Sequence, residues 1–372
     1  MKLGPSLLAL LLSISARHAT AGAEPLPPGA SAPATPSPPA APSAPTTAGA
    51  AATPTARAAL PLELVREVAL PGRSVRFDYQ DIDFAKRQLV IAHMSDASVV
   101  VVKLSDGSVL QEIKNIPTAR GVAVADEVGK IFVTSSPRQL VILDNSTLAE
   151  VARVKTGRAP DGVGWDPQHR VVGVSDQGDG AISLLEGSGL GARTQLRLGS
   201  DTGNVVYDAA RGRFWITVVG PAAPDQLVAI DPAAHQVLER IALPGCKGAH
   251  GLRIHPDGKS AFIACEENDL LARVDLDGAH GISMGPTGSG PDVLSIDPGL
   301  GWLYVAAESG DLTVFDIQRP GVFLIGHDHP GQHAHSVVVD PESHRVFFPL
   351  LAGLKGTPVL RIFRPTGLPP LP

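Results

Sequence analysis

From Leu62 onward the chain repeats itself. Short apolar runs end at a tight turn and a second apolar run follows: DIDFAKRQLVIA, VAVADEVGKIFVT, VGWDPQHRVVGV, VVYDAARGRFWIT, RIHPDGKSAFIA, LSIDPGLGWLYVA and VVVDPESHRVFFP. The residues opening these turns are Asp83, Ala125, Asp166, Asp208, His255, Asp297 and Asp340, which lie 42, 41, 42, 47, 42 and 43 residues apart. A near-constant period of this length, with several short strands per unit, is the mark of propeller blades. Asp-Pro and Asp-Gly fit the turns, because Asp bonds its own backbone two residues on and Gly tolerates positive φ. Segments such as LVAIDP and VLERIAL supply two further strands per unit. The 39 glycines, 34 prolines and only 18% charged residues also favour strands and turns over long helices.

The ends of the repeat array predict how it closes. The last unit has three clear strands, SVVVD, RVFFPL and PVLRIF, and lacks a fourth. The segment LELVREVAL, before the first unit, reads as that missing outer strand. Pairing there removes two open sheet edges. The expectation is an all-β, seven-bladed β-propeller of four-stranded blades over residues 60–366, its N-terminal strand closing the last blade, with a short tail at 367–372.

Residues 1–23 read as a signal peptide. Lys2 precedes a short apolar core, LLALLLSI, and small-residue cleavage patterns follow at Ala19-Thr20-Ala21 and Ala21-Gly22-Ala23. The alternative is an uncleaved N-terminal anchor. Residues 24–59 are Pro/Ala-rich with almost no large apolar side chains, so they cannot offset their conformational entropy by burial and read as a disordered linker. No later segment has the roughly 18 uninterrupted apolar residues of a membrane helix. The expected location is periplasmic or secreted, and the expected state a monomer. A net charge of -6 without a dense Lys/Arg cluster argues against nucleic acid as a partner.

The segments GKIFVTSSPRQLVILDNSTLAEVARVKTGRAPDGVGWDP and GWLYVAAESGDLTVFDI resemble the YVTN-type repeats of YncE-like seven-bladed propellers. The resemblance covers about Leu62 to Arg364 and is specific for fold. It implies a secreted binding or surface protein, with a relation in fold to lactonase-type propellers. It carries over no catalytic residue.

In a propeller the inner strands line a central channel. The residue five before each turn anchor lies near one end of that strand, giving Asp78, Arg120, Asp161, Gly203, His250, Asp292 and His335 round the ring. Six of the seven are polar or charged. The next residues, Tyr79, Gly121, Gly162, Asn204, Gly251, Val293 and Ser336, are mostly small and read as leaving the mouth open. Antiparallel pairing brings the ends of the second strands, at His93, Asp176, Glu266 and Glu308, to the same face. That face is the expected site for a small molecule or protein partner. Arg120 reads as a partner for an anionic ligand or for Asp78 or Asp161. Asp161 and Asp292 follow prolines, so turn capping competes with ligand contact.

His250, Asp292 and His335 stand at equivalent positions in three consecutive units. Two imidazoles and a carboxylate match non-haem iron sites and also suit zinc or copper. A divalent metal there, with His333 as an additional ligand, stands beside a hydrated polar channel holding none. In the run GHDHPGQHAHS, only His335 falls on the ring; His327, His329 and His333 read as exposed or rim residues on the connection into the last blade. Cys246 and Cys265 are expected on one face and close together, as a disulfide in an oxidising compartment, or else as metal thiolates. The functional expectation is an exported ligand- or protein-binding module of the cell envelope. The alternative is a lactonase-like or metal-dependent enzyme using the acid and histidine ring.

Overall fold

The computed structural model describes residues 59–220, 224–353 and 355–368. The leader, all but the last residue of the linker and the last four residues of the tail lie outside the described residues.

Twenty-eight strands form seven sheets of four, each an antiparallel meander, and no α-helix occurs among the described residues. In chain order the blades span residues 80–114, 122–155, 160–197, 201–242, 249–286 and 291–328. Blade 7 is built from Val338–Asp340, Arg345–Leu350, Val359–Pro365 and, outermost, Leu62–Ala69. The first strand of each blade is innermost. These strands touch one another round the ring, and the last, Val338–Asp340, returns to the first, Gln80–Asp83. The seven-bladed fold expected from the repeat is thus the observed one.

The closing strand Leu62–Ala69 pairs antiparallel with Val359–Pro365, from Leu62 opposite Pro365 to Ala69 opposite Val359. It is mostly exposed. Its hold is a backbone ladder supported by ion pairs of Arg361 with Glu67 and Arg364 with Glu63. It covers the edge of the last sheet, which would otherwise offer free N–H and C=O groups to another chain.

The turn anchors follow one chemistry. Asp83, Asp166, Asp208, Asp297 and Asp340 are buried, and each accepts a backbone N–H from two or three residues on, at 2.7–3.3 Å. A buried carboxylate that caps its own turn explains why Asp recurs there.

The core is seven interfaces between neighbouring blades. Val90, Val101, Ile131 and Val141 join blades 1 and 2. Phe214 and Ile230 pack on Ile182 and Leu184 between blades 3 and 4. Ile82, Leu89 and Val100 meet Phe347, Leu360 and Ile362 across the closure. Each such large side chain contributes about 1.5–3 kcal/mol by leaving water, so the closure interface is built like the other six.

Candidate functional site

Position five before each anchor does face the channel, and backbone irregularities make it do so. In blades 3 to 6 the inner-strand register shifts between Pro160 and Val163, Thr202 and Val205, Ala249 and Leu252, and Pro291 and Val293. Asp161, Gly203, His250 and Asp292 lie in those shifts. A bulge re-aims a side chain that strict alternation would send elsewhere. In blades 1 and 2 the equivalent residues precede the inner strand, pinned by Asp78 N–H to Ala92 O at 2.9 Å and Arg120 N–H to Thr134 O at 3.1 Å. Threonines from the preceding blade fix the next ring residue: Thr134 Oγ1 donates to Asp161 O at 2.6 Å and Thr217 Oγ1 to His250 O at 2.7 Å.

The small residues of the ring correct one expectation. They do not open the mouth. A Cβ on Gly121 would strike the Asp161 carbonyl oxygen, and one on Gly251 the Asp292 carbonyl oxygen. Gly203 likewise lies against the His250 backbone. The glycines let inner strands of adjacent blades approach backbone to backbone. At the same level in blade 1, Tyr79 reaches across to His250 and Asp292.

The resulting cavity has a volume of about 250 Å³. Asp78, Arg120, Asp161, His250, Glu266, Asp292 and Glu308, all singled out from the sequence, line it. His335 is buried beside it. His93 is not in the lining: its ring stacks on Phe77 at 3.9 Å between centroids. Asp176 is spent on Gly157 N–H, Ser183 and Gln195. Arg76, Tyr79, Met94 and Gln177 complete the wall; of these the sequence placed only Tyr79 at the mouth. Arg76 stands two residues before Asp78, outside the repeat, so no blade equivalence pointed to it.

Among these groups five carboxylates face two guanidiniums and one imidazole. Arg76 pairs with Glu308 at 2.7 Å and approaches Asp292 at 3.7 Å. Arg120 reaches Asp161 at 3.3 Å and Gln177 at 2.9 Å, so it neutralises a carboxylate as one of its two expected roles required. The carboxylates of Asp161 and Asp292 point at His250 Nε2 from 3.5 and 3.6 Å. Tyr79 Oη lies 3.3 Å from that nitrogen and 3.4 Å from Asp292.

Burial and mutual repulsion disturb the acids. Asp78 is held well above the ordinary carboxylate range by burial and by Asp161 and Asp292. Asp292 is pushed up to about 7, mainly by burial. For His250 burial favours the neutral ring, but Asp161 and Asp292 outweigh it and raise its pKa. His335 goes the other way, down to about 4, through burial and the nearby Arg76.

One subset has the geometry of a cation site. Asp78, Asp292 and His335 are buried, and each offers a ligand atom within 4.8 Å of the others. They come from blades 6, 7 and 1, consecutive across the closure. The triad expected from the sequence took blades 5, 6 and 7; the observed group shares Asp292 and His335 with it and has Asp78 where His250 was expected. His335 Nδ1 lies 3.2 Å from His333 O. A carbonyl can only accept, so Nδ1 carries the proton and Nε2 presents its lone pair. That nitrogen is buried and without a hydrogen-bond partner among the described residues. His333 itself is exposed.

The other histidines of the run separate. His329 and His333 are exposed, as expected, while His327 lies not on the connection but in the outer strand Phe323–Asp328, buried, with Nδ1 3.0 Å from Thr313 Oγ1. Cys246 and Cys265 form a disulfide with Cα atoms 5.2 Å apart. It fastens the loop leading to the strand that carries His250. No helix among the described residues is long and apolar enough to cross a membrane.

No protein-family model matches the sequence, and no curated protein matches it. Among solved structures, the chain is similar to hydrazine synthase of Kuenenia stuttgartiensis, at 14% identity and a TM-score of 0.68, over 79% of this chain and 97% of that one. It is also similar to virginiamycin B lyase from Staphylococcus aureus, at 11% identity and a TM-score of 0.66, over 81% of this chain and 99% of that one. At these identities the likeness concerns the fold alone.

Proposed function

We propose that this chain is an exported ligand-binding propeller of the cell envelope, and that its channel mouth holds a divalent cation between Asp78, Asp292 and His335. The observation that carries this reading is the His335 imidazole. Its Nδ1 faces a backbone carbonyl and its buried Nε2 has no hydrogen-bond partner among the described residues, the arrangement that metal-bound histidines show, in which one ring nitrogen donates to the protein and leaves the other for the ion. The carboxylates of Asp78 and Asp292, each with a ligand atom within 4.8 Å of one on the imidazole, complete a mixed oxygen and nitrogen set suited to manganese, iron or zinc. A dication would also relieve the crowding of buried acids. Arg120, His250 and Glu266 stand on the wall of the same cavity and would orient a small polar ligand beside the ion. The disulfide supports export, because such bonds persist in oxidising compartments.

The test is metal content and calorimetry on the full chain purified without a histidine tag. The expected result is one equivalent of Mn²⁺ or Zn²⁺ bound, with affinity about 100-fold lower in Asp78→Asn and in His335→Gln. Equal binding by wild type and both variants would remove the reading.

One observation favours an enzyme as the second reading. His250 faces the cavity with Asp161, Asp292 and Tyr79 against its Nε2, as a general base would be held. Hydrolysis of simple lactones that is lost in His250→Gln while cation binding persists would establish it.

A further inference from the structure

The channel has a second end, where an arginine, Arg253, stands in the wall. Two residues before each anchor the inner strands present Asp81, Ala123, Gly164, Val206, Arg253, Ser295 and Val338. Arg253 lies three residues beyond His250 on the strand Ala249–Ile254, about 10 Å farther along the channel at the rise of an extended strand. Tyr79 separates the two levels: it contributes to the wall of the acidic cavity and to that of a small chamber beneath it. The chamber, about 30 Å³, includes Asn204 and Arg253 in its wall. It leads to an outer cavity of about 390 Å³, which Arg253 also lines.

Arg253 is short of partners. One of its five N–H donors is used, Nη1 to Leu252 O at 3.0 Å. No carboxylate among the described residues lies within ion-pair distance of it. Asp81, the acid of the same ring, spends its two oxygens on Val124 N–H at 2.7 Å and Ile82 N–H at 2.9 Å. Beside Arg253, Asn204 is 4% exposed and its side-chain N–H₂ is buried without a partner. Two sets of unspent donors therefore meet in a chamber with room for a group of two or three atoms. Arg253 is half-buried and the Asn204 amide is buried, and donors so placed favour an acceptor between them.

The outer cavity differs in character. Val124, Val163 and Val206 form apolar wall, and Trp165 and Tyr207 stand at its sides. Glu127, which accepts from Trp165 Nε1 at 3.2 Å, and Asp81 are also on the wall. Those acids oppose a second negative charge on a ligand. We propose that this end of the channel binds a small organic monocarboxylate, its carboxylate on Arg253 and Asn204 and its apolar body against Trp165 and Tyr207. A planar guanidinium takes a carboxylate through two parallel N–H bonds, and apolar wall beside a few convergent donors is the common form of a small-ligand site.

The test uses benzoate, phenylacetate and hexanoate as probes, with the corresponding amides as neutral controls and inorganic phosphate as the dianion. Binding is read by calorimetry and by tryptophan fluorescence on wild type, Arg253→Gln and Arg253→Lys. The expected result is binding of at least one carboxylate, weakened about tenfold or more by the amide replacement and by Arg253→Gln, and partly restored in Arg253→Lys. Mn²⁺ should still bind at the other mouth in Arg253→Gln, no more weakly than in wild type because the variant removes a positive charge about 10 Å away, which separates this site from the cation site. Absence of carboxylate binding, equal binding of acid and amide, or preference for phosphate would overturn the proposal. The acid and amide comparison needs only wild type, so it decides the matter even where Arg253→Gln does not fold.

Discussion

Asp292→Asn should stabilise the cation-free protein, and by more as the pH rises. Asp292 is held at about 7, against 3.8 for the free side chain, with burial as the main cause; Glu308 and Asp161 add to it and His250 and Arg76 oppose it. The folded state therefore prefers the protonated acid. Its contribution is fully present below pH 3.8 and is lost as the pH rises through about 7, a total of about 4 kcal/mol. Asparagine cannot ionise and escapes that loss. It gives up the hydrogen bond from Tyr79, worth about 1 kcal/mol, while the attraction of Arg76 for the ionised acid is already contained in the value of about 7. The advantage of Asp292→Asn over wild type should thus grow by about 3 kcal/mol between pH 5 and pH 8. Urea unfolding of both proteins at several pH values, with a chelator present, measures it. Saturating Mn²⁺ should then stabilise wild type by mass action and leave the variant behind. An advantage that stays flat or shrinks with rising pH would refute the reasoning, and Asp292 would be an ordinary favourable partner of Arg76 and His250.

Two further outcomes follow from packing and cross-linking. Gly251→Ala puts a Cβ into the Asp292 carbonyl oxygen and should cost about 2–4 kcal/mol in unfolding free energy, whereas Gly281→Ala, with nothing within 4 Å, should be neutral. Replacing both Cys246 and Cys265 by alanine opens a link spanning 19 residues and should lower stability by about 3 kcal/mol; no change in the denaturation midpoint would show that the blade holds its loop unaided.

The propeller was legible because its signals are local. Five of the seven turn anchors are Asp residues that cap their own turns, so the period stands out without any knowledge of contacts. The ring at the mouth was legible through blade equivalence, which let Asp78, Asp161 and Asp292 be gathered from positions far apart in the chain. Equivalence also set the limits. Arg76 precedes the first repeat and has no counterpart, so nothing pointed to it. Gly121 and Gly251 were read as open space, but a missing side chain serves equally well for close backbone approach, and only the neighbouring blade tells which. His327 was placed one element too late because the outer strand of blade 6 continues into GHDHPG. The cation group moved by one blade, from 5–6–7 to 6–7–1, because linear order hides that the first blade is the neighbour of the last. Arg253 sits in the repeat but was overlooked, since attention to one level of the channel left the next unread.

That each blade supplies one side chain per level also allows the two levels to act on each other. The acid ring and Arg253 are about 10 Å apart along the same strands, with Tyr79 in the wall of the cavities at both levels. A unit charge gained at one level and a unit negative charge gained at the other attract by about 1–2 kcal/mol at that distance with an effective dielectric near 20. A dication entering the mouth does not bring its full charge, because Asp292, held at about 7, and Asp78 release protons as it binds. The net gain is one charge or less, so the coupling should be at most about 1 kcal/mol, roughly fivefold in affinity. It must be reciprocal: Mn²⁺ should tighten carboxylate binding by the same factor that the carboxylate tightens Mn²⁺. Titrating each in the presence and absence of the other measures both arms. Affinities that do not shift, or that weaken, would mean that the two ends are electrically isolated and that the channel is two unrelated pockets sharing a wall.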